Sequence, residues 1–242
     1  MTTEDKNTEK KAPTTARYER ALILELENIA LESREAMFSI LAESLKSYDK
    51  ELTVPLFSRY CLYERPEVFI PALLAELGVG VRSKDKVLKE FVDGMDAYWK
   101  SEDKQPRAGL EAFLSATSDA GFAQIALTAL PEKTAAQVVR SLGPKFESLE
   151  IHSFSEQGKV VAGADIWMQS AMDRDINPAV CLGLASSSKA CRAALAADLF
   201  TVAVSDRFTA FDDFGGASEL FDSLADAQPE EIVKTFYQDS ES

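Results

Sequence analysis

The chain has 242 residues, 46% hydrophobic and 27% charged, which suits one large globular domain or a core domain carrying an insertion. Its 26 basic and 40 acidic residues give a formal net charge of −14, which argues against non-specific nucleic-acid binding and against an anionic membrane surface as partner. No apolar run approaches the roughly 18–20 residues of a membrane span, and the amino terminus lacks the apolar core of a secretory signal.

Residues 1–17 are polar, aperiodic and rich in Thr, Glu and Lys, and read as a disordered tail. An apolar run over 21–24 then predicts a buried parallel strand. It runs into Glu25, Leu26, Glu27 and a turn at Asn28. A strand that delivers two carboxylates at its carboxyl end stands where an open α/β sheet normally places chemistry. Residues 33–47 follow with Met37, Ile40, Leu41 and Leu45 at helical spacing.

Helical patterns over 52–63, 67–77 and 84–100, with few strand signals between them, predict an all-helical insertion over 47–103. Gly78 and Gly80 suit a helix terminus there. The aromatics Tyr60, Tyr63, Phe69, Tyr98 and Trp99 read as helix-packing residues.

From Pro106 onward helices and strands alternate. Helices are predicted over 108–120, from Pro131, over 164–172 and 187–197, and strands over 122–128, 149–154, 180–184 and 199–204. Gly215-Gly216 is expected to lead into a helix holding Leu220, Phe221 and Leu224, and a last helix spans 229–237. Repeated βα units imply a parallel sheet with helices on both faces. The expected organisation is an α/β core of residues 18–46 and 104–242, with the helical cap at 47–103 between its two parts.

Several segments, in order and in frame, resemble the haloacid dehalogenase (HAD) superfamily in its branch of phosphoglycolate phosphatases and β-phosphoglucomutases. That family opens with Asp-x-Asp-Gly-Thr-Leu-x-Asp-Ser, and here the frame reads Glu25-Leu-Glu27-Asn28-Ile29-Ala30-Leu31-Glu32-Ser33. The helical insertion directly after it and the Pro106-Arg107-Ala108-Gly109-Leu110 return also match. Ile125-Ala-Leu-Thr128 resembles the second motif, Ala185-Ser186-Ser187-Ser188 the start of the fourth, and Asp213-Phe214-Gly215-Gly216-Ala217 the family's Asp-Phe-Ser-Gly-Ala segment. The resemblance implies a Rossmann-like α/β core with a parallel sheet and an inserted all-helical cap.

It also implies a chemistry: a first aspartate as nucleophile on phosphorus, a second as general acid and base, a Thr or Ser and a Lys on the phosphate, and magnesium on acids of the fourth motif. Here the nucleophile position holds Glu25 and the acid/base position Glu27. Each is one methylene longer, and a misplacement near 1 Å can cost on the order of 100-fold in rate. Asn28 replaces a turn glycine and tolerates left-handed geometry.

Thr128 matches the phosphate-binding position, or simply ends its strand as a cap for the next helix. Val161 occupies the lysine position; Lys159, two residues upstream, is the candidate substitute unless it is a solvated surface residue. Ala185 and Ser186 replace the metal-binding acids. Asp206, Asp212 and Asp213 lie off the motif frame and read as a solvated loop.

Two carboxylates without a counter-ion repel a phosphate dianion and push one pKa upward. The serine cluster 186–188 precedes a helix, where it would hold an anion on backbone N–H groups or provide an N-cap.

His152 is the only histidine and reads as structural, and no phosphate loop or dinucleotide fingerprint is present. The three cysteines, Cys61, Cys181 and Cys191, have neither metal-ligand nor disulfide spacing, consistent with a reducing, cytoplasmic setting.

The expected function is therefore a HAD-like protein that has lost phosphatase activity and binds a small anionic ligand or a protein partner through its core–cap cleft, without nucleic acid or membrane. No cofactor is expected; magnesium would be needed if it is active. The alternative is a divergent hydrolase of a small phosphoester, with Glu25 as nucleophile and Glu27 as general acid/base.

Overall fold

The computed structural model describes residues 18–240, so the expected tail at 1–17 lies outside the described residues. The core is a parallel sheet of six strands: β1 (Ala21–Glu25), β2 (Ala123–Thr128), β3 (Glu150–Ser153), β4 (Cys181–Ala185), β5 (Phe200–Val204) and β6 (Glu219–Phe221). Their order is β3-β2-β1-β4-β5-β6. β1 stands at the centre because it is apolar on both faces; every residue of Ala21–Glu25 is buried, as a strand covered by helices on both sides requires. The chain order reverses around β1, which pairs with β2 on one side and β4 on the other. The crevice at that switch point, beyond the strand ends, is where such sheets bind ligands.

Alternation along the strands feeds two apolar layers. Leu22 and Leu24 point into a layer with Phe113, Val138 and Phe236. These come from α5 (Leu110–Asp119), α6 (Glu132–Ser141) and α9 (Pro229–Ser240). Ala21 and Ile23 face the opposite layer, built on Trp167 and Cys191 from α7 (Ala164–Met172) and α8 (Ser188–Ala196).

The cap holds α2 (Val54–Cys61), α3 (Pro66–Glu76) and α4 (Lys84–Lys100). The inner face of α1 (Ser33–Lys46) packs with them, so Leu41 and Leu45 share a cluster with Phe57, Phe69 and Phe91. α1 ends at Lys46, and its apolar stripe packs on the cap helices. Gly78 ends α3 at φ +67°, as a helix-terminating glycine should.

One expected element differs. Residues 219–221 form β6, paired in parallel with Val202–Val204 of β5, and only a short 3₁₀ turn, Leu224–Asp226, follows. Leu220, Phe221 and Leu224 fit a helical spacing, but the unpaired edge of β5 supplies backbone partners to the first two that a helix would forgo. All three cysteines are free and buried. Among the described residues no helix is long and apolar enough to cross a membrane.

Candidate functional site

β1 delivers Glu25 at its last position, and the chain then makes a single π-helical turn, Leu26–Ala30, closed by Leu31 N–H donating to the Leu26 carbonyl. Such a turn is a common way to aim side chains at a site. Asn28 lies inside it and is not among the residues with positive φ, so the left-handed geometry expected of it is not used. Its side chain instead accepts from the Ser33 hydroxyl at 3.0 Å, tying the turn to the start of α1.

Glu25 is 8% exposed. Its Oε2 accepts from both the backbone N–H and the hydroxyl of Ser186, each at 2.7 Å. The extra methylene that distinguishes this residue from aspartate is thus spent reaching the residue after β4. Ser186 is bound in turn by Arg34: Nη2 donates to its Oγ at 3.0 Å and Nη1 to its carbonyl at 3.1 Å. Nη1 also donates to Asp206 Oδ2 at 2.6 Å. Arg34 is buried, and this short charge-assisted contact is the kind that justifies a buried cation.

Glu27 turns toward β2. Its Oε1 accepts from the Thr128 hydroxyl and from Ala129 N–H, both at 2.8 Å, while Thr128 Oγ1 accepts from Leu130 N–H at 3.0 Å. Thr128 is therefore a support for Glu27. Desolvation, the largest cause, raises the Glu27 pKa from 4.5 to about 7 against these hydrogen bonds. The upward shift expected from two neighbouring carboxylates is present, but burial drives it and the charge of Glu25 is the smallest contribution.

The two glutamates lie at the floor of a cleft of about 300 Å³ between core and cap. Its walls are mainly apolar, with Phe91, Met95 and Trp99 from α4 and Leu127, Leu130 and Phe154 from the core. Phe69 and Trp99 both pack within the protein and face this space, so helix packing was only part of their role.

The remaining expected site residues fall as follows. Lys159 lies outside the cleft lining and pairs with Asp165 at 2.8 Å on the surface. Ala185 is buried at the end of β4, and Ser187 is the N-cap of α8, its hydroxyl accepting from Ala190 N–H at 3.3 Å. His152 sits on β3 beside Asp173, 3.6 Å away, with its pKa lowered by burial.

The loop after β5 is the main departure from expectation. Asp206 binds Arg34, and Asp212 accepts from the Tyr63 hydroxyl of the cap and from Ser188 N–H. Only Asp213 behaves as a solvated loop acid, accepting from Gly215 N–H. Phe208 from the same loop stacks 4.7 Å from Phe57, and its carbonyl accepts from Ser58, so the loop fastens cap to core. Arg107 binds the Asn28 and Ser205 carbonyls at 2.9 and 2.7 Å and holds the π turn against β5.

Sequence reasoning missed Arg34 and Asp206. One signal existed: a basic residue in the first turn of a helix opposes the helix dipole and needs a reason.

Magnesium does not fit these residues. The ion needs near-octahedral oxygen ligands that include carboxylates. Here Ser186 supplies a hydroxyl already shared between Glu25 and a guanidinium, and Asp206 is paired with that same guanidinium. Among the described residues no group of three or more His, Cys, Asp or Glu is placed to hold a metal ion.

No protein-family model matches the chain, and no curated protein matches it. Solved structures do match. A HAD family hydrolase from Deinococcus radiodurans R1, with bound phosphate and sodium, aligns at a TM-score of 0.68 and 18% identity, over 92% of this chain and 98% of its own. CbbY from Rhodobacter sphaeroides, in complex with phosphate, aligns at 0.66 and 17% over 86% and 95%. β-Phosphoglucomutase from Clostridium difficile aligns at 0.66 and 16% over 92% and 99%. The architecture is thus that of the HAD hydrolases, with a Rossmann-like core and a helical cap.

Proposed function

We propose that this protein, built on the fold of the HAD hydrolases, has lost phosphoryl transfer and binds a small molecule in the cleft between core and cap. The observation that carries this reading is the Glu25–Ser186–Arg34 network. A nucleophilic carboxylate must present a free oxygen to phosphorus at about 3–3.5 Å, in line with the leaving group. Here Oε2 of Glu25 is fixed to the end of β4 by two hydrogen bonds from Ser186, so the position of its other oxygen is dictated by that tether. Catalysis of this kind depends on positioning and on cationic stabilisation of the phosphoryl oxygens. The one cation at the cleft floor, Arg34, is directed at Ser186 and Asp206 instead.

One observation favours a second reading. A glutamate with a pKa of about 7, oriented by a threonine, has the properties of a general acid/base. On that reading the protein is a divergent hydrolase with Glu25 as nucleophile and Glu27 as acid/base.

A phosphatase assay with p-nitrophenyl phosphate and a panel of sugar phosphates, with and without magnesium, separates the two. The binding reading expects turnover no greater than that of Glu25→Ala. Magnesium-dependent turnover that disappears in Glu25→Ala overturns it.

A further inference from the structure

We infer that the ligand of the core–cap cleft is an organic cation, a small amine with an apolar body, whose ammonium group sits on Glu25 and Glu27. The inference deepens the binding reading above and rests on it.

The charges around the cleft are one-sided. Glu25, Glu27, Glu64 and Asp96 line it, and among the described residues Arg34 is the only basic one that does. Arg34 is committed to Asp206 and Ser186, so its charge is largely spent before a ligand arrives. Glu25 has no such counter-ion in direct contact: its partners are the neutral N–H and hydroxyl of Ser186, both on Oε2. Among the described residues none donates to Oε1, although the residue is more than nine-tenths buried and borders the cleft. Glu27 is held by Thr128 and Ala129 on Oε1 and also by its own backbone N–H, and it is half-buried. Glu25 therefore keeps one acceptor oxygen available at the cleft, with a second acidic side chain, Glu27, on the same turn of chain.

A buried carboxylate is costly unless paired, and the nearby cations are directed elsewhere, Arg34 to Asp206 and Ser186 and Arg107 to the Asn28 and Ser205 carbonyls. An ammonium group supplies both what is missing electrostatically and an N–H donor for the free oxygen. A phosphate or carboxylate ligand would lose hydration and meet like charge, which reverses the anionic ligand expected from the fold. The rest of the cleft is apolar, with Phe91, Met95 and Trp99 on the cap side, so the body of the ligand is apolar. Trp99 further suits a cationic ligand, since an indole face attracts a nearby cation.

The test uses the full-length protein and three probes of one shape: 2-phenylethylamine, 2-phenylethanol and phenylacetate, supplemented by a series of alkylamines of increasing length, all titrated by calorimetry. The amine is expected to bind at least about tenfold more tightly than the alcohol, and the carboxylate most weakly. In Glu25→Gln/Glu27→Gln the amine and the alcohol are expected to bind alike; Glu27→Gln alone, which keeps the acceptor for Thr128, reduces the preference partway. Equal or tighter binding of the alcohol, of phenylacetate or of inorganic phosphate by the unaltered protein overturns the inference, as does failure of every amine to bind. Because the comparison among probes is made on the unaltered protein, it stands even if a variant fails to fold. Turnover of phosphate monoesters would overturn the binding reading beneath it, whereas tight binding of a neutral probe would leave that reading intact and remove only the cation.

Discussion

Glu25 and Ser186 are joined twice, the backbone N–H and the hydroxyl of Ser186 both donating to one glutamate oxygen at 2.7 Å across 161 residues of chain. The same hydroxyl accepts from Arg34, so a single serine couples the end of β1 to the first turn of α1. Ser186→Ala removes both hydroxyl bonds and leaves a buried carboxylate and a buried guanidinium each short of a partner. Urea denaturation is expected to show a loss of about 1–3 kcal/mol, with the fold retained.

Arg34→Met is expected to cost more, about 3 kcal/mol, because it removes the ion pair of the partly buried Asp206 and two donors to Ser186, while Phe208 and Thr209 still hold the other Asp206 oxygen. Arg34→Met/Asp206→Asn removes both charges and should recover much of that loss. A double-mutant cycle in urea reads the coupling directly; additive losses would mean that the pair contributes nothing as a pair.

The same cation governs metal binding. Mn²⁺ titration followed by electron paramagnetic resonance is expected to detect no stoichiometric site on the unaltered protein. Arg34→Ser/Ser186→Asp clears the guanidinium and places a second carboxylate beside Glu25, leaving Asp206 free. This variant is expected to gain a Mn²⁺ site. A stoichiometric site in the unaltered protein would show that Arg34 does not exclude the ion.

Glu27 makes stability depend on pH. Its folded-state pKa of about 7 lies above the ordinary 4.5, so the folded protein holds this proton more tightly than the unfolded chain. The corresponding stabilisation is fully present below about pH 4.5 and is lost as pH rises through about 7, on the order of 3 kcal/mol in all. Compared with Glu27→Gln, the melting temperature of the unaltered protein should fall between about pH 5 and pH 8. Parallel profiles for the two proteins would place the titration elsewhere.

Phe208 fastens cap to core through Phe57 and Phe38, with ring centroids 4.7 and 5.5 Å away. Phe208→Ala is expected to cost about 3–5 kcal/mol and to speed hydrogen exchange in α2. Exchange accelerated uniformly over the sheet, with no excess in α2, would mean that the ring serves general stability and not the cap.

The parts of the fold readable from the chain were those set by local pattern. The apolar run at 21–24, the helical spacing from 84 to 100 and the alternation after Pro106 match β1, α4 and the βα units because burial on one face or both leaves a periodic trace. The edge strand β6 left no such trace: its three residues alternate weakly, and only the free edge of β5 made them a strand.

The sequence alone set glutamates, each one methylene longer than aspartate, at positions 25 and 27, and Ala185 and Ser186 at the end of the β4 pattern. What these residues meet was decided in three dimensions. Arg34 meets Ser186 across 152 residues and Asp206 across 172, and Glu27 meets Thr128 across 101. No periodicity encodes such pairings, because hydrogen-bond direction, burial and charge balance exist only once the sheet has brought the ends of β1, β2, β4 and β5 together. The tertiary structure alone thus placed a guanidinium beside Ser186 and two glutamates at the floor of an apolar cleft.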